Sequence, residues 1–267
     1  MALENFDGKI ALVTGGGRGI GRAIALELAQ LGAVVALAAR SVSELEETAR
    51  LVQSSGAKVE IFPVDLTDMQ ATLALVPSVE RKLGKVSILI NNAGIVGPFG
   101  PTWTLDPVQW EQALRVNLFA PFLLARAVLP SMIAQKWGRI INISSGVAQN
   151  PTMRSGPYAP SKAGLDTFTR QLGFELDGTG VIATAIYPGI VDTVMSASVR
   201  AQEPEVVGRL SQVMRNIHAE GKMATPDYPA RLVAAILTNE DQALNGQVID
   251  IRSPEGQKLL SSALKQE

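Results

Sequence analysis

Short apolar segments alternate with longer segments of mixed polarity along most of the chain. The apolar segments are rich in Val, Ile and Ala and lack polar alternation, which is typical of strands buried on both faces of a parallel sheet. We predict strands at residues 10–14, 34–39, 59–64, 86–91, 139–144, 181–187 and 247–251. Strict alternation with helical segments implies right-handed βαβ connections, so the predicted fold class is α/β, with a doubly wound parallel sheet of about seven strands and helices on both faces.

Several segments between the strands have the length of helices, such as 19–31 and 43–54. Asp106 followed by Pro107 fits a helix start with proline at its first position. No linker-like stretch divides the chain, and one domain is predicted over residues 1–267.

The stretch 192–225 breaks this alternation. It carries apolar residues at helical spacing, namely Val206, Val207, Leu210, Val213, Met214 and Ile217. Because it follows a strand end, we interpret it as a lid over a pocket at the carboxyl ends of the strands. The alternative is an ordinary amphipathic helix with one face in the core.

Composition excludes several classes of function. The 267 residues carry a net charge of −1, which gives no basic field for nucleic acid or an anionic membrane. There is no cysteine, and His218 is the only histidine, so we expect no disulfide, no metal site and no Ser-His-Asp triad. The start of the chain lacks a signal-peptide pattern and no uninterrupted apolar run has the length of a membrane span, so a cytoplasmic location is expected.

A glycine-rich turn, TGGGRGIG at residues 14–21, directly follows the first predicted strand and opens a helix. Its glycines have the spacing G-x-x-x-G-x-G and allow backbone to approach a phosphate closely. Exposed N–H groups and the helix dipole then favour the anion, which predicts dinucleotide binding. The candidate cofactor residues in this turn are Gly15, Arg18, Gly19, Ile20 and Gly21.

The end of the second predicted strand bears on which cofactor is bound. It reads Ala38-Ala39-Arg40, without the acidic residue that would bind the ribose 2′-hydroxyl of NAD. Arg40 suits a 2′-phosphate, and Arg18 is a second candidate cation. We therefore predict NADP, with NAD as the alternative.

Tyr158 and Lys162, in the segment YAPSKAG, are spaced so that a helix places both on one face, a turn apart. A fixed positive charge lowers the pKa of a nearby phenol, which would make the pair a proton donor and acceptor near neutral pH. In isolation, such a pair more often marks only a helix surface.

Together these motifs resemble the short-chain dehydrogenase/reductase family, in its single-domain branch, over roughly residues 8–251. The resemblance is carried by TGGGRGIG at 14–21, NNAG at 91–94, Asn117 in RVNLF, Ser145 in INISS, YAPSK at 158–162 and PGIVDT at 188–193. It implies a Rossmann-like sheet and hydride transfer between nicotinamide and a ketone or secondary alcohol.

The resemblance also implies a role for each catalytic residue. Tyr158 exchanges the proton with the substrate oxygen, and Lys162 lowers the Tyr158 pKa and holds the nicotinamide ribose. Ser145 hydrogen-bonds the substrate oxygen, and Asn117 holds a water that leads from Lys162 to solvent. Read alone, Asn117 and Ser145 would more often be a helix residue and a turn residue.

Further cofactor contacts follow from the same resemblance. Asp65 and Leu66 are expected beside the adenine. The alternative, purely structural role of Asp65 is that of a helix N-cap. The expected residues along the rest of the cofactor are Asn92, Ala93, Gly94, Pro188, Gly189, Val191 and Thr193. The competing functions are an NAD-preferring dehydrogenase and a cofactor-binding regulatory protein without turnover, and the intact catalytic set favours an enzyme.

Two departures from the family pattern stand out. Pro160 lies inside YAPSK, which predicts a helix that starts close to Tyr158. The segment GQVIDIRSPEG lacks the glycine pair that often ends the last strand in the family. The tail 257–264 is a candidate short helix with Leu259, Leu260 and Leu264 on one side, which either packs on a neighbouring subunit or frays.

The partners expected are a small-molecule carbonyl or alcohol substrate and further copies of the chain. The candidate substrate-pocket residues are mostly apolar: Val96, Pro98, Phe99, Val147, Gln149, Met153, Tyr187, Val194 and Met195. The resemblance implies a homotetramer or homodimer built on helices near 110–135 and 158–175, whose apolar residues are Leu114, Leu118, Phe122, Leu165, Phe168 and Leu172.

Overall fold

The fold is a seven-stranded parallel sheet, seen in a computed structural model that describes residues 6–264. The strands are β1 Ile10–Thr14, β2 Val34–Ala39, β3 Val59–Pro63, β4 Val86–Asn91, β5 Gly138–Ile143, β6 Val181–Tyr187 and β7 Val248–Asp250. Their order is β3-β2-β1-β4-β5-β6-β7. The predicted α/β fold class and its seven strands are confirmed.

Helices cover both faces of this sheet. They are α1 Gly19–Gln30, α2 Val42–Ser54, α3 Met69–Leu83, α4 Pro107–Leu114, α5 Ala120–Ala134, α6 Tyr158–Glu175, α7 Val194–Arg200, α8 Pro204–Val207, α9 Leu210–Ala219, α10 Asp227–Leu237 and α11 Pro254–Leu264. One core cluster packs α1, α2, α10 and α11 on one face of the sheet, and a second packs α3, α5 and α6 on the other.

The alternation of side chains along a strand explains why the strands are mostly apolar. In β1, Ala11 and Val13 belong to the first core cluster, whereas Ile10 and Leu12 belong to the second. All four side chains are buried. Because successive residues point to opposite faces and both faces are covered, these four positions are all apolar, and the polar residue Thr14 follows only at the carboxyl end of the strand.

Asp106 and Pro107 start α4 as predicted. The Asp106 carboxylate accepts hydrogen bonds from the backbone N–H groups of Val108 (2.7 Å) and Gln109 (3.3 Å). A π-helical turn, Arg115–Phe119, then joins α4 to α5. The whole stretch Pro107–Ala134 is long and apolar enough to span a membrane by length and composition alone, but half of its most apolar window is buried within the fold, which makes this weak evidence for a span.

The stretch predicted as a lid contains α7, α8 and α9. Gly208, with φ of 65°, separates α8 from α9, so the apolar pattern read as one helix is divided into two. After β7, α11 is helical as far as residue 264 and buries Leu259 and Leu260, so the fraying alternative is wrong for this stretch. The side chain of Leu264 lies outside the described residues.

Candidate active site

The carboxyl ends of the strands border a cleft of about 1070 Å³. It lies where the strand order reverses, between β1 and β4, and extends along the ends of β2, β5 and β6. In open parallel sheets this is the position where ligands bind. Most of the predicted site residues meet in this one cleft: Gly15, Arg18, Gly19, Ile20, Arg40, Asp65, Leu66, Asn92, Ala93, Gly94, Ser145, Tyr158, Lys162, Pro188, Gly189, Val191 and Thr193.

The glycine turn is held against the segment that follows β4. The Asn92 side chain donates to the carbonyls of Thr14 (2.9 Å) and Gly15 (3.2 Å). The Thr14 hydroxyl accepts from the backbone N–H of Asn92 (3.0 Å) and Ala93 (3.2 Å). A Cβ on Gly21 would lie 2.2 Å from the Gly15 carbonyl oxygen. Gly21 therefore does not line the cleft, and its lack of a side chain lets α1 pack on the turn.

The start of α1 has the features of a phosphate site. Its N-cap residue, Arg18, makes no side-chain hydrogen bond to the first turn, so the initial N–H groups are not capped. Gly19 has φ of 54°, and a Cβ there would lie 3.4 Å from Thr193 Cγ2 across the cleft. The cradle thus fits an anionic diphosphate, with the first turn of α1 as the donor.

The adenosine end of the cleft contains a carboxylate as well as the two predicted cations. Arg40 is exposed at the end of β2 and lines the cleft. Arg18 Nη1 is paired with Glu44 Oε1 of α2 at 2.8 Å. Glu44 also lines the cleft, so Arg18 is partly neutralised by a carboxylate there.

Asp65 lines the cleft without capping a helix. Its Oδ1 accepts hydrogen bonds from the backbone N–H and the hydroxyl of Thr67, both at 2.9 Å. The N-cap of α3 is Asp68, which accepts from Gln70 and Ala71. The N-cap interpretation of Asp65 is wrong, because the helix starts three residues later than that interpretation requires.

Tyr158 is the first residue of α6, as Pro160 predicts. Because the first turn of a helix leaves its N–H groups unpaired, the missing N–H of Pro160 breaks no helical hydrogen bond. One turn later, Lys162 Nζ lies 5.7 Å from the centre of the Tyr158 ring. The same ammonium group donates to the Ile143 carbonyl at 2.6 Å. The helix therefore brings the phenol and the ammonium group together as predicted.

Burial affects both groups. It lowers the pKa of Lys162 to about 8, and Asp166 opposes this shift. It raises the pKa of Tyr158, and a hydrogen bond with Ser145 opposes that shift. The prediction of a lowered Tyr158 pKa is wrong for this state of the protein, because desolvation of the phenolate outweighs the hydrogen bond.

Asn117 is the catalytic candidate that the structure does not bring to the cleft. It lies in the π-helical turn and is fully buried. Its side chain donates to the Ile95 carbonyl (2.8 Å) and to Ser161 Oγ (3.0 Å), and accepts from the Ile95 N–H (2.8 Å). It lies behind Gly94, where a Cβ would be 3.5 Å from Asn117 Oδ1. Its side chain thus fixes the segment after β4 against α6, and its role toward a water stays a prediction.

The segment after β6 lines the end of the cleft opposite the adenosine end. Asp192 N donates to the Ala224 carbonyl (2.9 Å) and Ala224 N donates to that of Ile190 (3.0 Å). Thr193 and Ser196 then form a reciprocal capping box at the start of α7. This start is therefore firmly anchored beside Pro188 and Gly189 at the cleft.

The substrate half of the cleft is mostly apolar. Of the residues predicted for it, those that line the cleft are Val96, Phe99, Val147, Gln149, Tyr187, Val194 and Met195. Pro98 does not line it, and Met153 is 72% exposed and packs beside Gly208 instead. Helix α9 contributes Leu210, Val213 and Met214, which is consistent with the predicted lid face.

The chain is similar to known proteins. The model of the short chain dehydrogenase family matches residues 9–204, most of the chain. The chain belongs to this family. It is an NAD(P)-dependent oxidoreductase, and its relatives include proteins named as dehydrogenases and ketoacyl reductases.

The similarity to individual relatives covers almost the whole chain. A short chain dehydrogenase of Pseudocercospora fijiensis is 37% identical over 94% of this chain and 83% of its own length. The 3-oxoacyl-(acyl-carrier-protein) reductase FabG of Pseudomonas aeruginosa is 34% identical over 92% of this chain and 98% of its own length.

Two solved structures superpose closely and differ in their cofactor. A variant of actinorhodin polyketide ketoreductase with NADPH has a TM-score of 0.84 and 32% identity, covering 94% of this chain and 97% of its own. Xylitol dehydrogenase bound to NAD⁺ has a TM-score of 0.82 and 28% identity, covering 92% and 98%.

This short-chain dehydrogenase also has site residues that sequence reasoning missed. Glu44 and Asp166 carry no motif, although the spacing of Asp166 from Lys162 is a helical-neighbour signal. Arg252 lines the cleft and is paired with Asp250 at 2.7 Å. It stands where a glycine pair was expected, and that departure was the available signal.

Proposed function

We propose that the protein reduces a ketone with NADPH, with Tyr158 as the proton donor. The observation that carries this proposal is that Tyr158, Ser145 and Lys162 border the same cleft as the glycine turn. A dinucleotide held by the glycine turn would extend toward the three side chains, because both line one continuous cleft.

Each of the three side chains has a distinct task. Ser145 hydrogen-bonds the substrate oxygen and so orients the carbonyl. Tyr158 is protonated at neutral pH, since burial raises its pKa, and donates its proton to that oxygen. The ammonium group of Lys162 compensates the phenolate that forms. The bound nicotinamide supplies the hydride.

The preference for NADP is inferred from the end of β2. Arg40 lines the cleft there, and no carboxylate follows β2 directly to bind a ribose 2′-hydroxyl. The NADPH held by actinorhodin ketoreductase supports this choice, whereas the NAD⁺ of xylitol dehydrogenase keeps NAD as the alternative.

The substrate inferred is a largely apolar ketone, including a 3-oxoacyl thioester. The substrate half of the cleft presents Val96, Phe99, Val147, Val199 and Leu210, which favour burial of hydrocarbon over binding of a polyol. The names of FabG and of the polyketide ketoreductase point to the same class of carbonyl.

We expect the protein to act as a homotetramer or homodimer. Phe119 and Phe122 are about 40% exposed, at 41% and 39%, and stack on each other. Phe122 also contacts Phe168 of α6 edge-on, so α5 and α6 present one aromatic surface. A second copy of the chain would remove this surface from water.

The test is the rate of NADPH and NADH consumption across three sets of carbonyls: apolar ketones, 3-oxoacyl thioesters and keto-sugars. We expect turnover with NADPH on the first two sets and slow or no turnover on the sugars. Preference for NADH, or faster reduction of the keto-sugars, would contradict the assignment of cofactor or substrate. Tight NADPH binding without turnover on any carbonyl would favour a regulatory protein.

A further inference from the structure

A buried carboxylate lies one helical turn beyond Lys162, away from the cleft. Asp166 is 2% exposed and Lys162 is 3% exposed. Both lie on α6 at a spacing of four residues, which places their side chains as neighbours on one face. Asp166 does not line the cleft, and the reaction proposed above assigns it no step.

Burying a carboxylate is unfavourable unless it is paired or hydrogen-bonded, so the groups around Asp166 must stabilise its charge. The hydroxyl of Tyr187, itself 3% exposed at the end of β6, donates a hydrogen bond to Asp166 Oδ2. The Ser144 hydroxyl, just after β5, donates to the Lys162 backbone carbonyl at 3.4 Å. The Tyr187 hydroxyl thus donates to one carboxylate oxygen and stabilises the ionised form of Asp166.

The charged groups around Asp166 are few. On its own helix, Lys162 and Arg170 lie one turn before and one turn after it, and both favour its ionised form. From β6 and β7, Tyr187 and Asp250 face the pair, and Asp250 acts on the Tyr187 hydroxyl. Burial opposes these effects and raises the pKa of Asp166 above its usual value.

We propose that Asp166 is a positioning residue that supplies the counter-charge for Lys162 and so keeps it an ammonium group beside Tyr158. Lys162 as a whole residue is only 3% exposed, so its ammonium group is largely removed from bulk water. Its Nζ has the Ile143 carbonyl as a neutral acceptor at 2.6 Å, which does not compensate a full charge. Asp166, one turn further along α6, provides a negative charge that acts on this ammonium group.

The consequence concerns the pH range of the reaction, and it rests on the proposed role of Lys162 toward Tyr158. Burial lowers the pKa of Lys162 to about 8 and Asp166 raises it. Without Asp166 the ammonium group would lose its proton at a lower pH. Tyr158 would then donate its proton without a compensating charge, and ketone reduction would decline at a lower pH.

The direct test is a side-chain NMR titration of Lys162 in the cofactor-free protein, for the wild type and Asp166→Asn. The asparagine keeps the shape and an acceptor for Tyr187 but removes the charge. We expect the Lys162 pKa to fall by about one unit, which is typical for loss of an adjacent opposite charge. Glu175→Gln, an exposed carboxylate on the same helix, is the matched control and should leave Lys162 unchanged. An unchanged Lys162 pKa in Asp166→Asn would overturn the proposal.

Two further variants guard against a mere folding defect. Tyr187→Phe keeps the Asp166 carboxyl group but removes the hydroxyl that donates to it, so Asp166 is less fully ionised. The pKa of Lys162 should then fall as well, but by less than in Asp166→Asn. Asp166→Glu keeps the negative charge, so Lys162 should titrate in this variant with a pKa close to that of the wild type. A folded Tyr187→Phe with an unshifted Lys162 would count against the proposal even if Asp166→Asn does not fold.

The pH profile of kcat for ketone reduction separates this inference from the proposed function. We expect the alkaline decline to move to lower pH in Asp166→Asn by the shift that the NMR titration measures. If the Lys162 pKa moves and the profile does not, the counter-charge stands and the assigned role of Lys162 toward Tyr158 fails. If neither moves, the counter-charge itself is wrong.

Discussion

At the scale of single residues, the burial of the charged Lys162 side chain destabilises the folded protein. Its burial lowers the pKa to about 8 from a usual value of 10.5. The unfolded chain therefore binds one more proton than the folded protein between these values, and the free energy of unfolding rises with pH in this window. Below pH 8 the protein bears the full unfavourable contribution of an ionised buried lysine.

This linkage predicts a difference between the wild type and Lys162→Met. Between pH 8 and 10, the free energy of unfolding of the wild type should rise relative to that of the variant by at most ~1.4 kcal/mol per pH unit. Urea unfolding at equal protein concentration measures both. A constant difference across this range would contradict the buried, shifted lysine.

A second prediction at this scale concerns Glu44, which pairs with Arg18 in the adenosine half of the cleft. Glu44→Gln removes a negative charge and frees Arg18, so NADPH should bind up to about fivefold more tightly, as the ~1 kcal/mol of an exposed ion pair allows. NADH affinity should stay the same. Cofactor titration by fluorescence measures both dissociation constants.

Glu47→Gln is the matched control for Glu44→Gln. Glu47 lies on the same helix and also pairs with an arginine. Its partner, Arg50, belongs to α2 too, and the pair does not line the cleft. Equal tightening of NADH and NADPH in Glu44→Gln, or an effect of the same size in Glu47→Gln, would refute the specific role of Glu44.

At the scale of elements, the lid stretch is held together by arginine side chains. Arg215 of α9 donates from Nε to the carbonyl of Arg200, at the end of α7, at 2.8 Å. Arg200 in turn pairs with Asp192 at 3.0 Å. Because α7 and α9 both line the substrate half, these contacts fix the shape of the proposed lid.

Arg215→Gln should therefore weaken substrate binding more than cofactor binding. We expect KM for the ketone to rise several-fold, since the partly buried charge-assisted hydrogen bonds lost are each worth ~1.5–3 kcal/mol, while the NADPH dissociation constant changes little. Arg209→Gln, which changes an exposed arginine just before α9, should have no effect. An unchanged KM in Arg215→Gln would argue for the ordinary amphipathic helix instead of a lid.

At the scale of the whole molecule, the sequence predicted the sheet better than the site. The strands were predictable because both of their faces are covered, so their apolar runs follow from burial alone. The Arg18–Glu44 pair, the inward position of Asn117 and the Asp166–Tyr187 contact were not predictable. Each joins distant segments, and only packing brings these together.

The pKa of Tyr158 is the clearest case of this limit. Its spacing from Lys162 correctly predicted that the two groups are neighbours. The sign of the shift depends on desolvation, which the spacing does not contain, and burial raises the pKa.

The assembly is a prediction at this same scale. Phe122→Glu places a charge within the aromatic surface of α5 and α6, so we expect a smaller particle by light scattering coupled to size-exclusion chromatography. Trp103→Glu, at an 87% exposed position outside that surface, is the control and should leave the mass unchanged. A wild-type monomer, or an unaltered mass in Phe122→Glu, would contradict the expected interface.

The central claim is that Tyr158 donates the proton in a reduction driven by NADPH. The most direct test is the single-turnover rate of NADPH oxidation with an apolar ketone, for the wild type and Tyr158→Phe, with NADPH affinity measured on the same samples. We expect the phenylalanine variant to lose at least about a hundredfold in rate, the usual contribution of a positioned acid, while it still binds NADPH. An unchanged rate in the variant, with intact NADPH binding, would contradict the account.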